Sequence, residues 1–212
     1  MSLLDVPSPI DLRQMADARQ WADEAMVKRP WRTEFFETFA QTLDAGNAHH
    51  VLELGSGPGF LAHYLLGALP EIDYVALDFS SAMHQLAAER LGPAASRVRF
   101  VERSFREPDW VEGLGPFDHV VTNQAVHELR HKRHARALHE QVRGLLKPGG
   151  RYLVCDHFAG DGGMKNDQLY MSIEEQRLAL AEAGFTRVEP LLLKRGLLLY
   201  VASVASAASM AE

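Results

Sequence analysis

The stretch Val51-Leu-Glu-Leu-Gly55-Ser-Gly57-Pro-Gly59-Phe60 decides the fold. An apolar run, HHVLEL at 49–54, ends at a turn in which every second residue is glycine, and a helical stretch near 60–69 follows. Glycine lets the main chain bend sharply and lets a ligand approach the backbone. Strand, glycine turn and helix in that order open a βαβ unit, whose ligands bind beyond the carboxyl ends of the strands. About twenty residues further on, Asp78 ends the second strand, where a carboxylate can accept from both hydroxyls of a ribose. A nicotinamide-binding chain shares this layout but carries GxGxxG, its third glycine allowing close helix–strand packing. Gly55, Gly57 and Gly59 give GxGxG instead, and Phe60 stands at the third fingerprint position. Nicotinamide binding and a plain tight turn stay open as alternatives.

Outward from the turn, strands are expected at 49–54, 73–78, 97–104, 117–123 and 151–158, with helices near 60–69, 81–91 and 131–146. Ser80 or Ser81 can cap the second of these helices and Gly92 follows its end. Strands alternating with helices imply a parallel sheet covered on both faces. The rhythm changes in the last third. Ser172-Ile-Glu-Glu175 reads as a capping box opening a helix through Ala183, which Gly184 ends. Apolar runs at 186–193 and 197–204 are separated only by Lys194-Arg195-Gly196, too short for a crossover, so those strands pair antiparallel. Before the core, residues 11–43 have a helical pattern, with Trp21, Ala25 and Val27 in one segment and Phe35, Phe36, Phe39 and Leu43 in the next. Pro30 divides the two, because an interior proline removes a helical hydrogen bond. The expected fold is α/β: a three-layer sandwich around a mostly parallel seven-stranded sheet, with an antiparallel C-terminal hairpin and N-terminal helices. The expected organisation is a helical cap or lid at 1–45 (not an independent domain), a core at 46–205 and a flexible tail at 206–212.

Bulk properties bound the function. The 212 residues are 47% hydrophobic and 24% charged, ordinary for one globular domain. A formal charge of -6 disfavours nonspecific attraction to phosphate backbones. Cys155, the single cysteine, allows no internal disulfide and no CxxC metal knuckle. Neither a signal peptide nor a membrane span is read from the sequence, which makes a cytoplasmic protein the expectation.

Several motifs run in one order. Val51-Leu-Glu-Leu-Gly-Ser-Gly-Pro-Gly59 resembles motif I of the class I S-adenosylmethionine-dependent methyltransferases, and Leu77-Asp-Phe-Ser80 resembles the motif that follows it. Phe117-Asp-His-Val-Val-Thr-Asn123 is similar to the family's fourth strand, and Leu146-Lys-Pro-Gly-Gly150 to the turn before its fifth. The resemblance covers about 46–204 and implies S-adenosylmethionine as cofactor and methyl transfer as activity. It places Gly55 and Gly57 at the amino-acid portion of the cofactor, with Glu53 orienting the turn. It places Asp78 at the ribose hydroxyls, Phe79 and Met83 flanking the adenine, and Asn123 and Gln124 near the sulfonium. Many relatives carry an aspartate after the third strand; Ser104 and Phe105 stand there in this chain and are kept as cofactor candidates.

Catalysis is less legible, because the sulfonium already activates the methyl group and alignment does much of the work. A base is needed only where the acceptor loses a proton. His127, after the fourth strand, is the candidate base, since an imidazole titrates near neutral pH. A histidine that merely packs over the cofactor or caps a helix is the plainer alternative. His127, His131 and His134 follow i, i+4, i+7 spacing beside Glu128 and invite a metal reading, but the segment is dense in charge and no metal is expected. Trp31 and Arg32 in the N-terminal helices, and Tyr170 in the loop 158–171, are the candidate substrate contacts. With no recognition domain, with the negative charge, and with Asn-Gln-Ala in place of Asn-Pro-Pro-Tyr at 123–125, a small-molecule acceptor is expected and nucleic acid is not. A protein or RNA methyltransferase and a non-catalytic cofactor-binding module are the alternatives. A homodimer is compatible with the sequence, which leaves the oligomeric state open.

Overall fold

The computed structural model describes residues 4–44 and 49–204. Seven strands are ordered β3-β2-β1-β4-β5-β7-β6 in one sheet. They are β1 (His50–Leu54), β2 (Asp73–Asp78), β3 (Val98–Glu102), β4 (Phe117–Asn123), β5 (Leu146–His157), β6 (Arg187–Lys194) and β7 (Leu197–Ser203). The α/β class, the parallel pairing and the antiparallel end of the sheet are as the sequence implies. Contacts divide the chain into two compact units, Pro9–Trp110 and residues 4–8 with 111–204.

In the first unit, β1, β2 and β3 pair in parallel. Helices α1 (Met15–Lys28), α2 (Arg32–Asp44), α3 (Phe60–Ala68) and α4 (Ser81–Leu91) accompany them. Pro30 lies between α1 and α2, as expected. The first helix starts at Met15, later than the apolar pattern suggests. The Asp11 side chain accepts from the Arg13 amide and its carbonyl from the Gln14 amide, a local turn that competes with helix. Ala18 and Ala22 of α1 pack against Ala82, Met83 and Leu86 of α4, small residues allowing close approach. Phe36 of α2 meets Tyr64 of α3 at 6.0 Å between ring centres.

In the second unit, β4 and β5 pair in parallel, while β7 lies antiparallel between β5 and β6. Lys194 pairs with Leu197, leaving the two-residue turn Arg195-Gly196. Both residues have positive φ, 49° and 78°, the combination of a type I′ hairpin. Helices α5 (Ala135–Gly144) and α6 (Ile173–Glu182) complete this unit. The capping box of α6 is formed: the Glu175 amide donates to Ser172 Oγ, and the Ser172 amide donates to the Glu175 carboxylate. Such a cap contributes about 1 kcal/mol.

Two expectations change in this unit. The fifth strand begins at Leu146 rather than 151, taking in the Lys-Pro-Gly-Gly segment, with a register shift where β4 passes from Phe117 to His119. Gly150 is needed there, because a Cβ would stand 2.8 Å from the Lys147 carbonyl oxygen. The helix expected over 131–146 begins only at Ala135. Residues 126–129 and 132–134 are short 3₁₀ turns separated by Arg130, whose φ of 65° interrupts any α-helix. His127, His131 and His134 therefore share no helical face, which removes the premise of the metal reading. The expected tail, 206–212, lies outside the described residues.

Candidate functional site

The glycine turn is built as a string of left-handed residues: Gly55, Gly57 and Gly59 have φ of 65°, 52° and 76°. The Gly55 and Ser56 amides donate to the Leu77 carbonyl, tying the turn to the end of β2. Asp78 holds it from the side chain. Its Oδ2 accepts from the Gly57 amide at 2.8 Å and its Oδ1 from the Ser80 amide at 3.0 Å.

The glycines divide their work. A Cβ on Gly59 would sit 2.9 Å from the Ala87 Cβ, so Gly59 admits the close packing of α4 against the turn. A Cβ on Gly57 would meet nothing within 4 Å, so Gly57 faces open space. Ser56 Oγ is buried there without a protein partner. A main chain bordered by open space, a buried hydroxyl and a nearby carboxylate fits the polar amino-acid end and ribose of S-adenosylmethionine. Ser56 is a candidate that the sequence did not single out.

Glu53, expected to orient the turn, accepts from the Tyr74 hydroxyl at 2.8 Å. Burial, with the neighbouring Asp78 charge adding to it, outweighs that bond and pushes its carboxyl up to about 8. Phe79 carries the Arg13 guanidinium 4.7 Å above its ring. Met83 is buried within the cluster formed by α1 and α4. Its amide donates to Ser80 Oγ, the N-cap of α4, and that hydroxyl donates to the Leu12 carbonyl. Ser104 Oγ accepts from the Arg106 amide at 3.3 Å, and Phe105 beside it is half-buried. Arg32 is buried at the start of α2, its guanidinium 5.6 Å from the Trp21 ring, and Trp31 before it is half-buried.

In the other unit, Asn123 ends β4 with its Oδ1 buried and without a protein partner. Gln124 follows at φ 59°, a conformation that costs a non-glycine residue about 1–2 kcal/mol, and its amide donates to the Cys155 carbonyl. His127 then comes to Asp156 at the end of β5. Its Nδ1 lies 2.7 Å from Asp156 Oδ1, and its amide donates to Oδ2 at 2.8 Å. Burial disfavours the imidazolium, but the charge and hydrogen bond of Asp156, with Glu128 adding, outweigh it and raise the His127 pKa. Burial likewise opposes the Asp156 carboxylate, yet His127 and His157 hold its pKa below the usual value. Tyr170 stands 5.3 Å from His127 and 5.8 Å from His157, ring centre to ring centre. These three rings and Asp156 line a small cavity with Lys132 and Gln176.

Asp156 as the partner of His127 was missed in the sequence. Its signal was the register: Asn123 pairs with Cys155 across β4 and β5, so the residue after Cys155 faces the loop that leaves β4. Among the described residues, no three His, Cys, Asp or Glu side chains converge to hold a metal ion.

Residues 52–152 match the family model described as Methyltransferase domain. The release factor glutamine methyltransferase of Deinococcus radiodurans is 30% identical over 166 residues, covering 68% of this chain and 56% of its own length. An O-methyltransferase family protein from Burkholderia thailandensis has a similar structure, with TM-score 0.76 and 20% identity over 91% of this chain and 61% of that one. Human N-acetylserotonin methyltransferase in complex with SAM gives TM-score 0.71 at 16% identity over 92% of this chain and 58% of that one. The chain thus spans less than two thirds of the length of each, and the two structures speak for the fold alone. The domain match and the Rossmann-like fold agree: residues 52–152 match a methyltransferase domain, and the glycine turn and Asp78 lie within it.

Proposed function

We propose that the protein transfers a methyl group to a hydroxyl of a small molecule, with His127 as general base. The observation that carries this reading is the pair of hydrogen bonds from His127 to Asp156, one from ring Nδ1 and one from the main-chain amide. It commits one imidazole nitrogen and orients the other, Nε2, as acceptor of a proton. A base so held is of use where the acceptor must lose a proton as it attacks, which favours oxygen among the possible nucleophiles. When bound, S-adenosylmethionine supplies an electrophilic methyl on a sulfonium. Asp78 and the Gly55–Gly57 backbone would hold its ribose and amino-acid ends, with Ser56, Asn123 and Gln124 adding polar contacts. Phe79, Met83, Ser104 and Phe105 remain the candidates for the adenine, and Glu53 acts on the turn through its neighbours. The acceptor proton would pass to His127 Nε2 as the oxygen–methyl bond forms and the sulfur–methyl bond breaks, S-adenosylhomocysteine being the leaving group, and Asp156 would stabilise the imidazolium that results. Tyr170, Trp31 and Arg32 are the proposed acceptor contacts.

The proposal includes the organisation 1–45 as cap and 46–205 as core, and a cytoplasmic location. Among the described residues no helix is long and apolar enough to cross a membrane. A second reading, transfer to a protein, draws on the 30% identity to a release factor methyltransferase. Labelled methyl from S-adenosylmethionine, offered to size-fractionated metabolite and macromolecule pools, separates the two. Label in the metabolite pool supports the proposal; label only in macromolecules overturns it. Label in neither pool, with S-adenosylhomocysteine still raising the melting temperature, would indicate a binding module. Sedimentation of the same sample reads whether the chain is a homodimer.

A further inference from the structure

Arg130 stands where the loop leaving β4 meets the start of the chain. Its side chain is buried, and its φ of 65° is left-handed, unusual for a residue with a long side chain. Its carbonyl accepts from the Val6 amide at 2.7 Å. Its Nε donates to the Val6 carbonyl at 2.9 Å, and Nη2 to the Pro7 carbonyl at 2.7 Å. Asp5 is held alongside, its Oδ1 2.9 Å from both Arg133 Nη2 and His134 Nε2. The third arm of the guanidinium points elsewhere. Nη1 donates to Glu128 Oε2 at 3.3 Å, and Glu128 Oε1 lies 3.5 Å from His127 Nε2.

We infer that Arg130 is a positioning residue for His127, coupling the docking of residues 5–7 to the placement of Glu128 beside the base. The inference rests on the reading of His127 as base. Because Nδ1 is committed to Asp156, Nε2 is the nitrogen that takes the proton, and Glu128 is the carboxylate beside it. At 3.5 Å Glu128 attracts a proton on Nε2 without a normal hydrogen bond that would block it. Arg130 sustains that distance by holding the other carboxylate oxygen. Two of its donors are meanwhile occupied by the Val6 and Pro7 carbonyls, which fixes the guanidinium so that Nη1 is the arm that reaches Glu128. If residues 5–7 leave, a buried guanidinium with two unpaired donors is costly, and Glu128 is the acceptor at hand. If Arg130 is removed, Glu128 is free to close on Nε2. The charged and titratable groups facing His127 are Asp156 and His157 of β5, Glu128 and Arg130 of its own turn, and Tyr170 and Lys132 at the cavity. Only Glu128 and Arg130 change in these rearrangements.

The test is the ring titration of His127 by NMR in the full chain, assigned with His127→Asn, beside kcat and KM over pH. Arg130→Gln is expected to raise the His127 titration by about half a pH unit and to lower kcat about tenfold. The KM for S-adenosylmethionine is expected to stay the same. Val6→Pro, which removes an amide donor of the docked segment, is expected to move the titration downward. In a Glu128→Gln background Val6→Pro is not expected to shift it, and Arg130→Gln is expected to give only the smaller rise that follows from losing the Arg130 charge. An unchanged titration in Arg130→Gln overturns the inference. Should that variant not fold, Val6→Pro decides: a lowered His127 titration that Glu128→Gln abolishes supports the coupling, and an unmoved one refutes it. Normal turnover in His127→Ala would instead remove the base reading, and the titrations would still report the coupling.

Discussion

Asp156 engages His127 twice, through the ring at 2.7 Å and through the main-chain amide at 2.8 Å. One carboxylate thereby sets the imidazole's tautomer, its orientation and its basicity together. A third bond, from the His157 amide at 2.7 Å, keeps the carboxylate itself in place.

Asp156→Asn tests that arrangement. A general base works when neutral, so kcat is expected to rise with pH through the raised His127 pKa, above 6.5. The asparagine variant should shift this limb to lower pH and reduce kcat on the order of 10²-fold. Stability follows the same linkage. The His127 share is full below 6.5 and is lost as pH rises through the raised folded value. The Asp156 share is present above 3.8 and is lost as pH falls through its lowered folded value. The variant should therefore lose most melting temperature between those pH values; an equal loss at pH 9 would contradict the linkage.

Gly57 and Gly59 should respond differently to alanine. At Gly59 the left-handed φ and the 2.9 Å approach to Ala87 act together, costing about 2–4 kcal/mol. At Gly57 only the φ strain of about 1–2 kcal/mol applies, because the space beyond it is open. Gly57→Ala is expected to fold and to lose affinity for S-adenosylhomocysteine, measured by calorimetry. Unimpaired binding would show that the open space is not the ligand's.

Asp78→Ala removes the acceptor of the Gly57 and Ser80 amides as well as the proposed ribose contact. Affinity for S-adenosylhomocysteine should fall on the order of 10²-fold, as losing two charge-assisted bonds implies. Adenosine should lose affinity in parallel, whereas methionine should not. A uniform loss across all three ligands would place the effect on the turn alone.

Glu53 offers a test by gain. Its carboxyl prefers its proton in the folded protein, up to about 8. Stability from that group is full below 4.5 and is lost as pH rises through the folded value. Glu53→Gln is neutral at every pH and can still accept from Tyr74. Its melting temperature should exceed that of the parent at pH 8.5 and match it near pH 4.5.

His139 should act in the opposite direction. Burial, against a smaller opposing pull from Asp156, lowers its pKa to about 4, so the folded protein holds it neutral. Unfolded chains bind the extra proton between 6.5 and 4, and stability should fall by about 3 kcal/mol across that range as the solution is acidified. His139→Phe, keeping an aromatic ring against Tyr152, should remove this part of the acid sensitivity. Parallel urea titrations at pH 7 and 4.5 measure it.

Local chemistry made much of this molecule legible in one dimension. The GxGxG turn, Asp78, the Ser80 cap, the Ser172–Glu175 capping box and the C-terminal hairpin each depend on residues close in sequence and on main-chain rules that hold anywhere. Those rules carried the fold class, and the resemblance of the motifs to a known family implied the cofactor. Other features arise from pairings between distant residues. That Asp156 meets His127 follows from the register of β4 on β5. That Glu53 answers to Tyr74, and that Arg130 holds residues 5–7, depends on side chains converging across the fold. The helix expected through His131 failed for the same reason. A left-handed Arg130, held by hydrogen bonds to residues more than a hundred positions away, overrides a helical pattern that the local sequence supports.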